Sequence, residues 1–253
     1  MDLTQVKHEI ETLAEKHRDE FETVSAYIFA HPELAYHETL AQDQLCGLLE
    51  KHGFKVQRGA GSLETAFVAE YRSGKPGMTF AFMCEYDALP EIGHACGHHM
   101  QGPSVIGAAL ALRDTCKDQP YKIVIYGTPA EETIGGKIIM QEKGCFKDID
   151  IALMMHAAPS TCVDLRCMAL ECFYVTFHGV ESHAAMSPHK GKSAFDAALL
   201  SFQAIEFMRE HVLEDSRMHY TILDAGGVHP ILFRDGQKQS IHCVLTAPII
   251  WKM

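Results

Sequence analysis

No run of 18 apolar residues without a charge occurs anywhere in the chain, so the sequence holds no membrane-spanning helix. The first twenty residues, MDLTQVKHEIETLAEKHRDE, are charged throughout and lack the apolar core of a secretory leader. The expected location is therefore cytoplasmic. Basic residues are few: 22 Lys and Arg stand against 33 Asp and Glu, for a net charge of −11. An acidic chain without a Lys/Arg cluster repels phosphate backbones, which excludes nucleic acid as the main partner. The nine cysteines are odd in number and scattered, so they form no disulfide framework and are expected to be reduced. There is no internal repeat and no low-complexity segment. With 47% hydrophobic and 22% charged residues, the composition excludes a disordered chain and a coiled coil. At roughly 150 residues per domain, the 253 residues amount to one or two domains.

Histidine is abundant, at 16 residues, and it is clustered. His94, His98 and His99 lie close together, as do His183 and His189.

Apolar positions Val6, Ile10, Leu13, Phe21, Val24 and Ile28 have helical spacing, with Asp2 or Thr4 as cap. His31-Pro32 ends that helix, because the residue before proline leaves the α region. A second helix runs from about Glu38 to His52 and closes at Gly53. Strands at 66–69, 79–84, 122–126 and 149–155 alternate with helices at 104–113 and 135–142. This order predicts an α/β domain with a mostly parallel sheet and flanking helices on both faces. Ligands of such sheets bind beyond the carboxyl ends of the strands. The residues there are Glu85-Tyr86-Asp87, Glu131-Glu132 and His156. After about residue 165 the order becomes strand (171–178), helix (193–212) and strands (219–223, 241–245), joined through Gly226-Gly227. That predicts a separate small α+β unit, giving domains of 1–165 and 166–253.

Four segments carry the chemistry. In His94-Ala95-Cys96-Gly97-His98-His99, a tight turn can put a thiolate and an imidazole on one metal ion. In Pro129-Ala130-Glu131-Glu132, adjacent side chains point to opposite sides, so one carboxylate can hold a metal while the other faces substrate. The same pair equally suits the acidic start of a helix. His156 closes a strand, where a histidine is either a ligand or a hydrogen-bonded loop residue. Asp87 can orient a histidine from behind the metal or simply form a turn before Leu89-Pro90. Together these strand ends bring a borderline ligand set, suited to Zn²⁺ or another late divalent ion, to one sheet edge. An extra carboxylate there is the usual base for activating water.

These segments resemble the zinc aminoacylase/carboxypeptidase-G family of metallopeptidases and amidohydrolases. The nearest likeness is to the branch of aminobenzoyl-glutamate hydrolase and the β-alanyl-dipeptide amidohydrolase. The matching stretches are His31-Pro32-Glu33-Leu34, Cys84 to Pro90, Gly93 to His98, Pro129 to Glu132 and His156 to Pro159. Ser182-His183-Ala184-Ala185, Pro188 to Gly191 and Ala194 to Ala197 match the opening of the family's second domain. The resemblance implies that Cys96, His98, Glu132 and His156 hold Zn²⁺ (or Mn²⁺ or Co²⁺), as one or two ions per subunit. It implies that Glu131 is the general base, that Asp87 supports the metal site, and that His183 helps to stabilise the oxyanion in a neighbouring protomer's site. The small unit would be an inserted lid and dimerisation domain, the assembly a homodimer, and the substrate an N-acyl amino acid or small dipeptide.

Two positions depart from the family pattern. His99 stands where Asp or Asn is usual, and Ile231 to Gly236 replaces an Asn-rich turn. The family also resumes its catalytic domain after the lid and supplies a last His ligand there, so the expectation is of a C-terminally truncated chain with little activity. Two other readings stay open. One makes Cys96 a nucleophile with His98 or His94 as base, which leaves Glu131, Glu132 and His156 without a role. The other is a non-catalytic fragment that acts only in pairing or metal binding.

Overall fold

The computed structural model describes residues 2–74, 76–133, 135–163, 169 and 171–225, and the backbone of 240–247. The chain divides into two compact units, Met1–Thr161 and Cys162–Met253.

The first unit opens with α1 (Leu3–Ala30), whose N-cap Asp2 accepts a hydrogen bond from the Thr4 amide at 3.0 Å. His31 ends it, with its own amide bonded to the Ile28 carbonyl at 3.1 Å. Helix α2 (Thr39–Lys51) is capped from a distance. The Glu33 carboxylate accepts from the amides of Thr39, Leu40 and Ala41 at 3.0–3.1 Å, placing a negative charge at the positive end of the helix. Strands β1 (Lys55–Arg58), β2 (Phe67–Arg72), β3 (Met78–Cys84), β4 (Tyr121–Gly127) and β5 (Ile151–Met154) form one sheet in the order β1-β2-β4-β3-β5. Helices α3 (Gln101–Thr115) and α4 (Gly136–Glu142) complete the unit.

This sheet corrects the expectation of mostly parallel pairing. β3 pairs parallel with β4 and β5, but β1–β2 and β2–β4 are antiparallel. The reason is the connection from Arg58 to Phe67. It is too short for a crossover helix, so β2 must run back along β1. Strand β1 carried no sequence signal, because its side chains are mostly exposed.

Two cores flank the sheet, and β4 divides its residues between them with period two. Ile123 and Ile125 join Val24, Ile28, Leu45, Leu49, Val105 and Ile106 beneath α1, α2 and α3. Val124 and Tyr126 join Ala66, Ala81 and Met140 beneath α4. The unbroken apolar run of β4 therefore reflects burial on both faces.

In the second unit, β6 (Glu171–His178), β7 (His219–Asp224) and β8 (Ser240–Ala247) form an antiparallel sheet in the order β6-β8-β7. Helix α5 (Ala194–Met208) is capped by Ser193, whose hydroxyl accepts from the Asp196 amide at 3.1 Å. Its core is Ala194, Ala198 and Phe202, packed against Phe177, Ile205 and Tyr220. The helix stops at Met208, four residues before the expected end. The Gly226-Gly227 connection and the Ile231–Gly236 departure lie outside the described residues. Among the described residues no helix is long and apolar enough to cross a membrane, and no disulfide links the cysteines.

Candidate metal centre

The parallel strands β3, β4 and β5 end at one edge of the sheet, and the loops that follow them converge there. Cys84 closes β3, so Glu85 and Asp87 come next and are fully buried. Gly97 has a φ of +83° and turns the chain sharply between Cys96 and His98, which brings both side chains to one side. A Cβ on Gly97 would lie 2.6 Å from the Ala157 side chain, so this turn also lets the segment after β5 approach.

His98 is the centre of the cluster and is fully buried. Its Nδ1 lies 3.0 Å from the Asp87 carbonyl oxygen and 3.1 Å from Asp87 Oδ1. Both can only accept, so Nδ1 carries the hydrogen and Nε2 is left as the lone-pair face. That Nε2 is buried with no hydrogen-bond partner. Around it stand Glu85 Oε2 at 3.4 Å, Glu131 Oε2 at 3.9 Å and Glu132 Oε1 at 3.9 Å. His156 is held in the same way. Its Nδ1 lies 2.8 Å from the Ala157 carbonyl, which turns Nε2 toward Cys96 Sγ at 3.5 Å. The ligand atoms of Cys96, His98 and His156 all lie within 4.8 Å of one another, as do those of Glu85, His98 and Glu131.

Burial pulls the His98 imidazole down, but its bond to Asp87 and the Glu85 charge outweigh this, and its pKa is raised. Burial pushes Asp87 up, but His98 and the Glu132 amide, 2.9 Å from Oδ2, hold it below the usual carboxylate range. Burial pushes the Cys96 thiol up to about 12, with Glu132, Glu131 and Glu85 adding negative charge around it. Burial, then the Glu85 charge, raises the Glu131 carboxyl above its ordinary value.

These residues fit a divalent cation. Two imidazole lone pairs, a thiol, the partnerless His98 Nε2 and the equally partnerless, buried Glu132 Oε1 face one another. A set this rich in negative charge and lone pairs is balanced by a cation rather than by further hydrogen bonds.

Of the expected residues, the structure brings Asp87, Cys96, His98, Glu131, Glu132 and His156 to this edge. His183 belongs to the second unit, where its Nδ1 accepts from the Ala185 and Met186 amides at 3.2 and 3.0 Å. Its ring proton therefore sits on Nε2. His99 is turned against Phe29, with ring centroids 4.9 Å apart, and toward His94.

Sequence reasoning assigned no role to Glu85, Gln101, Lys137 or Glu38. The Gln101 amide donates to Glu85 Oε2 at 2.7 Å, and Lys137 pairs with Glu85 Oε1. Glu38 is fully buried and accepts from the Ala130 amide at 2.8 Å and from the Thr65 hydroxyl at 2.9 Å. It thereby holds Ala130, at a φ of +59°, directly before Glu131. Only Glu85 carried a signal, namely its place just beyond a buried strand.

The chain is 34% identical over 241 residues to one of the subunits of p-aminobenzoyl-glutamate hydrolase from Escherichia coli K12, covering 87% of this chain and 50% of that protein. It is 37% identical over 220 residues to the Xaa-Arg dipeptidase of Mus musculus, covering 82% and 51%. It thus spans about half the length of the curated relatives it matches. No family model matches the chain. Among solved structures, an aminobenzoyl-glutamate utilization protein from Klebsiella pneumoniae superposes with a TM-score of 0.67 at 19% identity, covering 95% of this chain and 69% of that one. A dinuclear metal-binding M20-family peptidase from Bacillus subtilis superposes with a TM-score of 0.64 at 19% identity, covering 94% and 66%. These likenesses show a shared fold. Taken with the motifs and the curated relatives, they show that the chain belongs to the aminoacylase/carboxypeptidase-G family of metallopeptidases and amidohydrolases, the M20 family.

Proposed function

We propose that the protein serves metal-dependent hydrolysis of an amide bond in a small substrate carrying a free carboxylate, such as an N-acyl amino acid, an aminobenzoyl-glutamate-like amide or a dipeptide. The observation that carries this reading is the buried, partnerless His98 Nε2 facing Cys96, His156 and the carboxylates of Glu85, Glu131 and Glu132. Cys96, His98, Glu132 and His156 are the proposed ligands, for Zn²⁺, Mn²⁺ or Co²⁺ as one or two ions. When bound, a divalent ion supplies Lewis acidity toward the amide carbonyl and makes water more acidic.

Glu131 is the base. It is partly exposed, and its raised pKa keeps it a competent acceptor that can afterwards give the same proton to the leaving nitrogen. Asp87 fixes the His98 tautomer from behind and holds the Glu132 amide. His183, with its proton on Nε2, is the proposed donor to the oxyanion. The second unit is proposed as the lid and homodimerisation domain, within domains of 1–165 and 166–253, in a cytoplasmic enzyme. Phe173 and Val175 on β6, with Leu199 and Leu200 on α5, are exposed apolar residues available for pairing.

A Cys96 nucleophile is disfavoured by the same geometry. A thiol pushed up to about 12 among three carboxylates is no thiolate at neutral pH without a cation.

The test couples metal analysis to turnover. Glu131→Gln is expected to keep its metal and to lose about 10²–10⁴ in rate, the usual scale of a general base. Cys96→Ala with His156→Ala is expected to lose the metal of this centre. Loss of metal from Glu131→Gln would exchange the roles of Glu131 and Glu132. A chelator-resistant, iodoacetamide-sensitive activity would overturn the metal reading. A strictly monomeric protein in light scattering would overturn the pairing.

A further inference from the structure

A second group of ligand-type side chains lies in the first unit, on residues to which the proposed hydrolase site gives no role. His17 and Glu20 stand one turn apart on the same face of α1, and His52 follows the last turn of α2. We infer that His17, Glu20 and His52 form a separate site for a divalent transition-metal cation such as Zn²⁺, joining α1 to the end of α2.

The argument is geometric first. The ligand atoms of the three residues all lie within 4.8 Å of one another. Glu20 Oε2 is the shared centre, 2.8 Å from His52 Nε2 and 3.6 Å from His17 Nδ1. Two ligands on a tetrahedral zinc ion at about 2.0–2.1 Å stand about 3.4 Å apart, so the observed spacings bracket the required one. The two rings stand edge to face, 5.0 Å apart at 83°, and so do not stack on each other.

The second argument is positioning. His17 packs against Phe21, with ring centroids 5.7 Å apart. The backbone carbonyl of His52 accepts from Arg113 Nη1 at 2.7 Å, which ties the end of α2 to α3. The side chains of His17, Glu20 and His52 are only 12–21% exposed, so the group is half-buried and its dielectric is below that of bulk water.

The third argument is charge. Lys51 pairs with the other oxygen, Glu20 Oε1, and so already neutralises the carboxylate. Glu20 Oε2 accepts from His52 Nε2 at 2.8 Å, so a cation binding here takes the place of the hydrogen on that nitrogen. Lys51 is 68% exposed on a flexible stem and can leave as a cation arrives. Two imidazoles and one carboxylate on one side leave the remaining coordination positions to water.

The test uses the whole chain with two of the four proposed hydrolase ligands removed by C96A/H156A, so that failure here is separate from failure of the proposed function. Zn²⁺ is titrated against a chromophoric chelator, and thermal unfolding is followed with and without Zn²⁺. C96A/H156A is expected to take up one equivalent of zinc and to melt at higher temperature with zinc. Adding His17→Ala and His52→Ala should abolish both effects while circular dichroism stays native. As a control on the intact ligand set, the wild-type chain should take up one equivalent more than H17A/H52A alone. Equal uptake by wild type and H17A/H52A, or no zinc-dependent shift in C96A/H156A, would overturn the site. Undiminished uptake by E20A would overturn the carboxylate's part in it.

Discussion

Glu38 has a buried carboxylate whose work is done at a distance, on the residue before the proposed base. Removing it in Glu38→Ala leaves the Ala130 amide and the Thr65 hydroxyl without partners, at an expected cost of about 1–3 kcal/mol. Glu38→Gln can keep both contacts, accepting from Ala130 and donating to Thr65. Burial raises the Glu38 pKa, against the pull of Thr65 and the Ala130 amide. The folded state therefore binds this proton more tightly than the unfolded chain, and the wild type loses stability as pH rises from about 4.3 through the folded-state pKa. Glu38→Gln should gain on the wild type as pH rises, which denaturant midpoints at pH 4 and pH 7.5 would show. A constant or shrinking gap contradicts this account. The ligand candidates were legible at this scale because Cys96, His98, Glu131 and Glu132 form short contiguous signatures. Glu38, Glu33 and the Glu85 partners were not, because each acts through residues six to ninety-two positions away.

Elements were legible where burial imposes a period. Helix α1 shows it plainly, whereas β4 is legible as a continuous apolar run, Ile123 to Tyr126, because it feeds two cores at once. Ile123→Ala, at a fully buried position between β4 and the helices, should cost about 2–5 kcal/mol in chemical denaturation. A loss under about 1 kcal/mol would mean that this core relaxes around the cavity. Strand direction was less legible than strand position, since pairing sense depends on connection length and on β1, whose exposed residues carry no pattern. The turn at Gly97 is an element-scale device with a local test. Gly97→Ala forces a side chain into a left-handed φ and against Ala157, and is expected to lower metal affinity more than it lowers the melting temperature. Unchanged metal affinity would remove Gly97 from the account of the site.

The proposed ligands, the base and Asp87 all fall within Met1–Thr161, while α5 and its sheet build a core of their own. Phe202 stacks on Tyr220 with ring centroids 4.2 Å apart, inside that second core. Phe202→Ala should therefore destabilise the second unit by about 3–5 kcal/mol and leave the metal content of the protein unchanged. Metal loss in that variant would show that the first unit's site depends on the second. The change of element order near residue 165, from alternating strands and helices to a β-α-β-β segment, is the sequence signal behind the expected second domain.

The tautomer locks at His98 and His156 also make metal capture a matter of proton traffic. A cation and a proton compete for the one lone pair of His98, and a cation must displace the proton of the Cys96 thiol. Loading the site should release about one to two protons per ion near neutral pH, so apparent affinity should climb by about one to two decades per pH unit. Calorimetric heats measured in buffers of different ionisation enthalpy would count those protons directly. Occupancy of the site would then follow the acidity around it, filling as the medium turns alkaline and emptying as it turns acid.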